Sequence, residues 1–344
     1  MSPVRATIRL STHCDNACRF CGQHGTTAGD TADWHAQLVA RRDAGANEVT
    51  FVGGEPLLAA ALEPGIMAAA SLGYGAIGVQ THGRALADQA RVRSLVAAGL
   101  TDVHLSIHGA RAAVHDYHTG VAGGFDQVTS GLGRLRGEGV SVVVTTVLTR
   151  SNARTLGELP AWLAHHGVLA WSIALPHAAG RAGLEFDRIM PRLALALPFA
   201  LHALDRARKL GMAVAIMGAP GCLLGPWQAE SIVEAPRCFA PVCEGCATRS
   251  VCAGIDGNYL ARFGGDELRA QPLLDTTVAS MPANLRRMFV GPGERVTVAV
   301  TPHEPAAAAR RRLPVLDRPV PGREETRSPQ PSAEALFPAL RDDD

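Results

Sequence analysis

Short apolar runs alternate with longer amphipathic ones from the first residues to about residue 180. The short runs predict strands at Ala6–Leu10, Asn47–Val52, Ala76–Gln80, Val103–Ile107, Val140–Leu148 and Val168–Ala174. The β-branched run Val140–Leu148 suits a strand buried on both faces. Between them, helices are predicted at Ala32–Arg42, Leu57–Leu72, Ala85–Ala98, Phe125–Arg136 and Thr155–His165. The stretch carrying His108, His115 and His118 reads as a loop. A βα alternation of roughly 25–40 residues per unit implies a parallel sheet with crossover helices.

After Gly180 the pattern changes. Pro191–Leu210 reads as one long helix and Met212–Met217 as a short strand, followed by a cysteine-rich segment from Gly221 to Gly265. Beyond about residue 300, Pro, Arg and acidic residues dominate, and this tail reads as disordered, with Glu294–Val300 open as one more strand. The domain expectation is residues 1–180, 181–270 and 271–344 for the α/β domain, the cysteine-rich region, and the linker and tail.

A chain of 344 residues accommodates one large α/β domain and a smaller one. A formal net charge of +1 steers it to neither nucleic acid nor an anionic membrane. Aromatic residues make up only 5%, which argues against a stacking platform for single strands. No apolar run is long enough to cross a membrane, and the N-terminus has no secretory core, so the expected compartment is the cytoplasm. There, the 8 cysteines are expected to be metal ligands or catalytic groups rather than disulfides.

Cys14, Cys18 and Cys21 follow the first strand, with three residues in the first gap and two in the second. Thiolates so spaced can converge on one soft metal centre, zinc or iron–sulfur. Gly53-Gly54-Glu55-Pro56 follows the second strand and Gln80-Thr81-His82-Gly83 the third. Ser106-Ile107-His108-Gly109 lies at the fourth, Asn152 after the fifth and Pro176-His177 after the sixth. The carboxyl ends of parallel strands are where such sheets bind ligands.

Cys-x3-Cys-x2-Cys, with Phe20 before the last cysteine and Gly-Gly-Glu-Pro on the next strand, resembles the radical S-adenosylmethionine (radical SAM) enzymes. The resemblance implies an α/β fold, a partial (β/α)6 barrel. It implies a 4Fe–4S cluster on Cys14, Cys18 and Cys21, with S-adenosylmethionine chelating its open iron. The cosubstrate would meet Gly53, Gly54, Glu55 and Pro56, with Glu55 on its ammonium, and Phe20, Ser106 and Asn152 at its other parts. For Phe20 the alternative is a core aromatic, for Ser106 an ordinary strand hydroxyl, and for Asn152 a helix N-cap. His108 stands where many relatives have Asp and is a candidate for proton transfer, with a hydrogen-bonding loop histidine as the alternative.

Cys243-x2-Cys246-x5-Cys252, with Cys222 upstream and Tyr259 to Leu268 downstream, resembles the Twitch-type (half-SPASM) extension. That implies a second, auxiliary 4Fe–4S cluster on Cys222, Cys243, Cys246 and Cys252, with zinc or Cys238 in place of Cys222 as alternatives. If Cys238 is spare, it is a candidate hydrogen-atom donor. Asp256 occupies the place of a further SPASM cysteine, so a third cluster is not expected. The chain starts on strand one and ends in Asp-Asp-Asp, which weighs against a leader-guided maturase and a Gly-Gly-tailed molybdenum-cofactor cyclase. The expectation is an enzyme reduced by a donor such as flavodoxin or ferredoxin. Its substrate is a ribosomally made peptide or, second, a small metabolite. The non-enzymatic alternative is a zinc-stabilised binding protein.

Overall fold

The computed structural model describes residues 4–22, 33–232, 238–272 and 281–289, all within one compact unit. Eight parallel strands form one sheet in sequence order: β1 (Arg5–Ser11), β2 (Glu48–Gly53), β3 (Ala76–Thr81), β4 (Asp102–Ser106), β5 (Ser141–Val147), β6 (Ala170–Ala174), β7 (Ala213–Met217) and β8 (Ser231–Ile232). Among the described residues β1 and β8 do not pair, so the barrel is open. The six expected strands are present. The sheet nevertheless has two more, because β7 and β8 continue it in register past residue 180. The expected boundary at that position therefore does not interrupt the sheet.

Helices α1 (Trp34–Asp43), α2 (Leu62–Ser71), α3 (Gln89–Ala98), α4 (Ala112–Thr119), α5 (Gly124–Gly137) and α6 (Leu159–His165) follow the first five strands. After β6 come α7 (Gly180–Leu184), α8 (Phe186–Ile189) and α9 (Leu193–Lys209), then α10 (Gly257–Phe263) and α11 (Ala283–Phe289). Three expected helices are shorter than their apolar runs. The chain makes a tight turn at Pro56–Leu58, Arg84–Ala87 and Ala153–Glu158 before each helix begins. In the first case Glu55 accepts the Leu57 N–H, turning the backbone out of helical register. The histidine stretch expected as a loop contains α4, whose one face buries His115 and His118.

Successive strand residues face opposite sides. On the helix side, Ile8, Phe51, Val79, Leu105, Val144 and Trp171 are fully buried. On the other side the wall is polar: His104 Nε2 lies 2.7 Å from Thr145 Oγ1, which lies 2.5 Å from Ser172 Oγ. At the base of that side Arg5 donates to Asp102, Thr50 and Glu48. Helix α11 covers this side. Arg287 pairs with Glu48 at 2.8 Å, Arg286 donates to the Ser231 carbonyl, and Phe289 sets its ring edge-on to His104. The expected linker-and-tail region therefore includes a packed helix. The rest of that tail, and Glu294–Val300, lie outside the described residues.

Where β1 leaves the sheet it passes directly over the end of β2. Gly54 N–H donates to the Ser11 carbonyl and Glu55 N–H to the His13 carbonyl, both at 2.7 Å. A Cβ at Gly53 would stand 2.6 Å from the Ser11 oxygen, and one at Gly54 would overlap the His13 carbonyl. Only glycine allows this approach. Gly54→Ala should therefore displace the cysteine loop, at a cost of about 2 kcal/mol. A chain of this size should then melt roughly 3 °C lower. A thermal melt matching wild type, with unaltered metal content, would contradict this.

Candidate active site and second cysteine site

The loop after β1 carries Cys14, Cys18 and Cys21. Ala17 and Arg19 donate to the Thr119 and His118 carbonyls at the end of α4, and Arg181 N–H donates to the Cys21 carbonyl. Burial pushes the Cys18 thiol up to about 12, and its neighbours Cys21 and Cys14 add to that. Burial also raises Cys14, with Glu55, Asp15 and Cys21 acting in the same direction. Thiols that raise one another are grouped closely. Such thiols ionise when a metal takes the proton's place. This donor set fits a soft metal cluster.

Glu55 is 1% exposed. Its Oε1 accepts from Leu57 N–H at 2.9 Å and Thr81 Oγ1 at 2.5 Å. Its Oε2 accepts from His82 N–H at 3.0 Å and lies 3.2 Å from His82 Nε2. The ring also reaches Asp15 Oδ1 at 2.8 Å. Arg84 donates to Asp15 Oδ2 and Asn16 Oδ1. Burial pushes the Asp15 carboxyl up, but the His82 hydrogen bond, with the charge of Arg84, outweighs it and holds it below the usual range. Cys14 Sγ, an Asp15 oxygen and a His82 nitrogen all lie within 4.8 Å of one another. Sequence reasoning noticed Gln80–Gly83 but not this pairing across 67 residues.

The remaining candidates separate. Ser106 is half-buried at the end of β4 beside Thr145. Phe20 packs on His108, ring centroids 4.4 Å apart. Asn152 is fully buried, and both ends of its amide are taken: it donates to the Val147 and His108 carbonyls and accepts from Thr149 N–H and Oγ1. Asn152 therefore acts inside the protein, tying the end of β5 to the β4 loop. It makes no N-cap bond either.

His108 is 2% exposed. Burial first, then His115 and His118, hold it well below the ordinary imidazole range. Its Nδ1 faces Val147 N–H at 3.4 Å. His115 is pushed down to about 4, again mainly by burial. His118 Nδ1 donates to the Val114 carbonyl at 2.6 Å, so Nε2 accepts from Thr149 or Ser151. These are neutral, structurally engaged histidines.

The five later cysteines line one cleft together with Pro220, Phe239 and Arg269. Burial raises the Cys222 thiol, and Cys252 and Cys243 raise it further. Cys252 Sγ accepts from the Gly221 and Gly254 amides at 3.3 Å, and Cys246 Sγ from Gln271 N–H at 3.4 Å. Thr248, then Gln271, pull the Cys246 thiol down. Cys238 is exposed and pairs its backbone with Ile255. Asp256 caps α10, accepting from Asn258 and Tyr259 N–H, and takes a further bond from Ala178 N–H.

Residues 8–161 match the radical SAM superfamily model. An AdoMet-dependent heme synthase of Nitratidesulfovibrio vulgaris is 28% identical over 188 residues, covering 53% of this chain and 50% of that protein. A PqqA peptide cyclase of Methylocella silvestris is 29% identical over 164 residues, covering 46% and 43%. The chain thus spans about half the length of the curated relatives it matches. Among solved structures, Streptococcus suis SuiB bound to S-adenosylmethionine superposes with TM-score 0.52 at 18% identity, over 62% of this chain and 50% of that one. The cysteine loop and the buried Glu55 both lie within the matched residues, and over that stretch the chain is similar to radical SAM enzymes.

Proposed function

We propose that this chain holds a catalytic 4Fe–4S cluster on Cys14, Cys18 and Cys21 and S-adenosylmethionine beside it, and modifies a ribosomally made peptide. The carrying observation is the grouped thiols of one loop set against a buried carboxylate at the same sheet rim. Bound there, cluster and cosubstrate supply one-electron cleavage of a carbon–sulfur bond and, through it, hydrogen-atom abstraction from substrate. Glu55 holds the cosubstrate ammonium by a charge-assisted bond. The Gly53–Pro56 turn fixes that carboxylate, Ser106 presents a hydroxyl to the cosubstrate's polar part, and Phe20 walls the adenine side. A donor such as flavodoxin or ferredoxin delivers the electron.

In the second cleft, Cys222, Cys243, Cys246 and Cys252 hold an auxiliary 4Fe–4S cluster, with Cys238 the spare thiol. Cys222 is favoured over Cys238 because its thiol feels Cys252 and Cys243. Zinc on the same four thiolates is the alternative occupant. The amide bonds to Cys252 and Cys246 are of the kind that tune a cluster's potential. A peptide substrate is supported by the PqqA peptide cyclase match; the heme synthase match keeps a small metabolite as the second reading. Among the described residues no helix is long and apolar enough to cross a membrane.

Replacing Cys14, Cys18 and Cys21 together by Ala should abolish 5′-deoxyadenosine formation and leave about four irons per chain on the second site. Undiminished formation would refute the catalytic assignment. A colourless variant with one zinc would replace the auxiliary cluster by a structural ion.

Glu55→Gln should weaken S-adenosylmethionine binding roughly 10- to 150-fold, the equivalent of about 1.5–3 kcal/mol. Iron content should be unchanged. Equal affinities in calorimetry would count against the role given to Glu55.

The buried histidines generate a pH dependence. Their folded pKa values lie below the unfolded one, so the unfolded chain takes up protons first as pH falls. Their stabilisation is complete above about pH 6.5 and is lost as pH falls from there toward the folded value, about 4 for His115. Denaturant unfolding of His115→Gln should show a shallower decline across that window, by about 1.4 kcal/mol per pH unit. Parallel curves would show that His115 titrates normally.

A further inference from the structure

The Glu55 carboxylate has about four lone-pair sites. Both on Oε1 are taken by Leu57 N–H and Thr81 Oγ1, so an arriving cation has to meet Oε2, on the His82 side. Arg84 N–H donates to His82 Nδ1 at 3.2 Å, which leaves the ring proton on Nε2. That single N–H stands 2.8 Å from Asp15 Oδ1 and 3.2 Å from Glu55 Oε2. Asp15 adjoins Cys14 in sequence, and Arg84 anchors it from the far side. The imidazole is therefore the one side-chain donor between a carboxylate of the cysteine loop and the buried carboxylate of the next strand, among the described residues. The ring donates to Asp15 and only faces Oε2 at 3.2 Å, so Oε2, which accepts from the His82 backbone N–H, keeps a lone pair for a ligand.

We propose that His82 is a positioning residue for cosubstrate binding. Its Nε2–H donates to Asp15, and the ring so held stands 3.2 Å from Glu55 Oε2, packing the cluster loop's carboxylate and the buried one on either side of the imidazole and keeping Oε2 facing the ammonium of S-adenosylmethionine. The proposal rests on the reading of Glu55 given above. Without the ring, Leu57 and Thr81 still hold Glu55 Oε1 and the His82 backbone N–H still holds Oε2, but no side chain links that carboxylate to the Asp15 of the cluster loop.

The test compares three variants in the full chain with both clusters reconstituted. Gln carries an amide N–H at the reach of Nε2, whereas Asn reaches only as far as Nδ1. His82→Ala and His82→Asn should bind S-adenosylmethionine about tenfold more weakly by anaerobic calorimetry, the loss of one charge-assisted bond. Iron content should equal wild type. His82→Gln should restore affinity to within about threefold of wild type. The change that S-adenosylmethionine causes in the reduced cluster's electron paramagnetic resonance spectrum should follow the same order. Wild-type affinity in His82→Asn, or no recovery in His82→Gln, overturns the proposal. Weak binding that merely tracks lost iron also overturns it, since His82 would then only support the cysteine loop. Wild-type protein that takes no S-adenosylmethionine overturns the reading of Glu55 and this inference with it; normal wild-type binding with an unaffected His82→Asn overturns this inference alone.

Discussion

The contact on which the site depends is between two stretches of backbone. The cysteine loop lies directly on Gly53 and Gly54, with two 2.7 Å hydrogen bonds and no room for a side chain. Several consequences follow from that closeness. Glu55, the next residue, is carried under the loop and buried. Buried, it needs donors, and β3 supplies them through Thr81 and His82. The third strand is thereby tied to the first through the second, and the strand ends that carry chemistry share one rim. A spacer of any larger residue would separate the thiols from the carboxylate.

The opposite end of the polar face is held by charge. Arg5 is nearly inaccessible and would be costly alone. It is satisfied by Asp102 from β4 and by Glu48 and Thr50 from β2. Glu48 in turn takes Arg287 from α11. A network of this kind joins strands that do not all pair with one another, which suits an open sheet without a closing ladder. Between this base and the cysteine rim lies the wall of His104, Thr145 and Ser172, whose hydroxyl and imidazole groups satisfy one another.

Much of this was legible because parallel strands and their crossover helices write a strong local period. The expected ranges for β1 to β7 fall within a few residues of the observed ones, and the motifs at their ends predicted the rim. What was not legible depends on distance. Helix α4 reads as loop in the sequence because His115 and His118 look polar, whereas the fold buries both. The two-residue β8 exists only because β7 offers an edge. Asn152 matched a family position, yet its amide is consumed by Val147, His108 and Thr149. The Asp15–His82–Glu55 chain joins residues far apart in sequence, and no local pattern encodes such a pairing.

The two cysteine sites are also mechanically joined. The stretch from His177 to Arg181, just after β6, touches both. Arg181 N–H binds the Cys21 carbonyl, and Gly180, at φ +53°, lies where a Cβ would stand 2.5 Å from that oxygen. Two residues earlier, Ala178 donates to Asp256 and accepts from Asn258, at the start of α10. Tyr259, one residue on, accepts from Leu193 N–H and donates to Glu267, which Arg192 also holds. The segment that follows the last cysteine is thus anchored to the same short stretch that steadies the first cysteine loop. Asp256, where a longer cysteine pattern would place another ligand, is spent on that anchorage. By capping α10 and accepting from Ala178, Asp256 fixes the second cleft to the barrel rim.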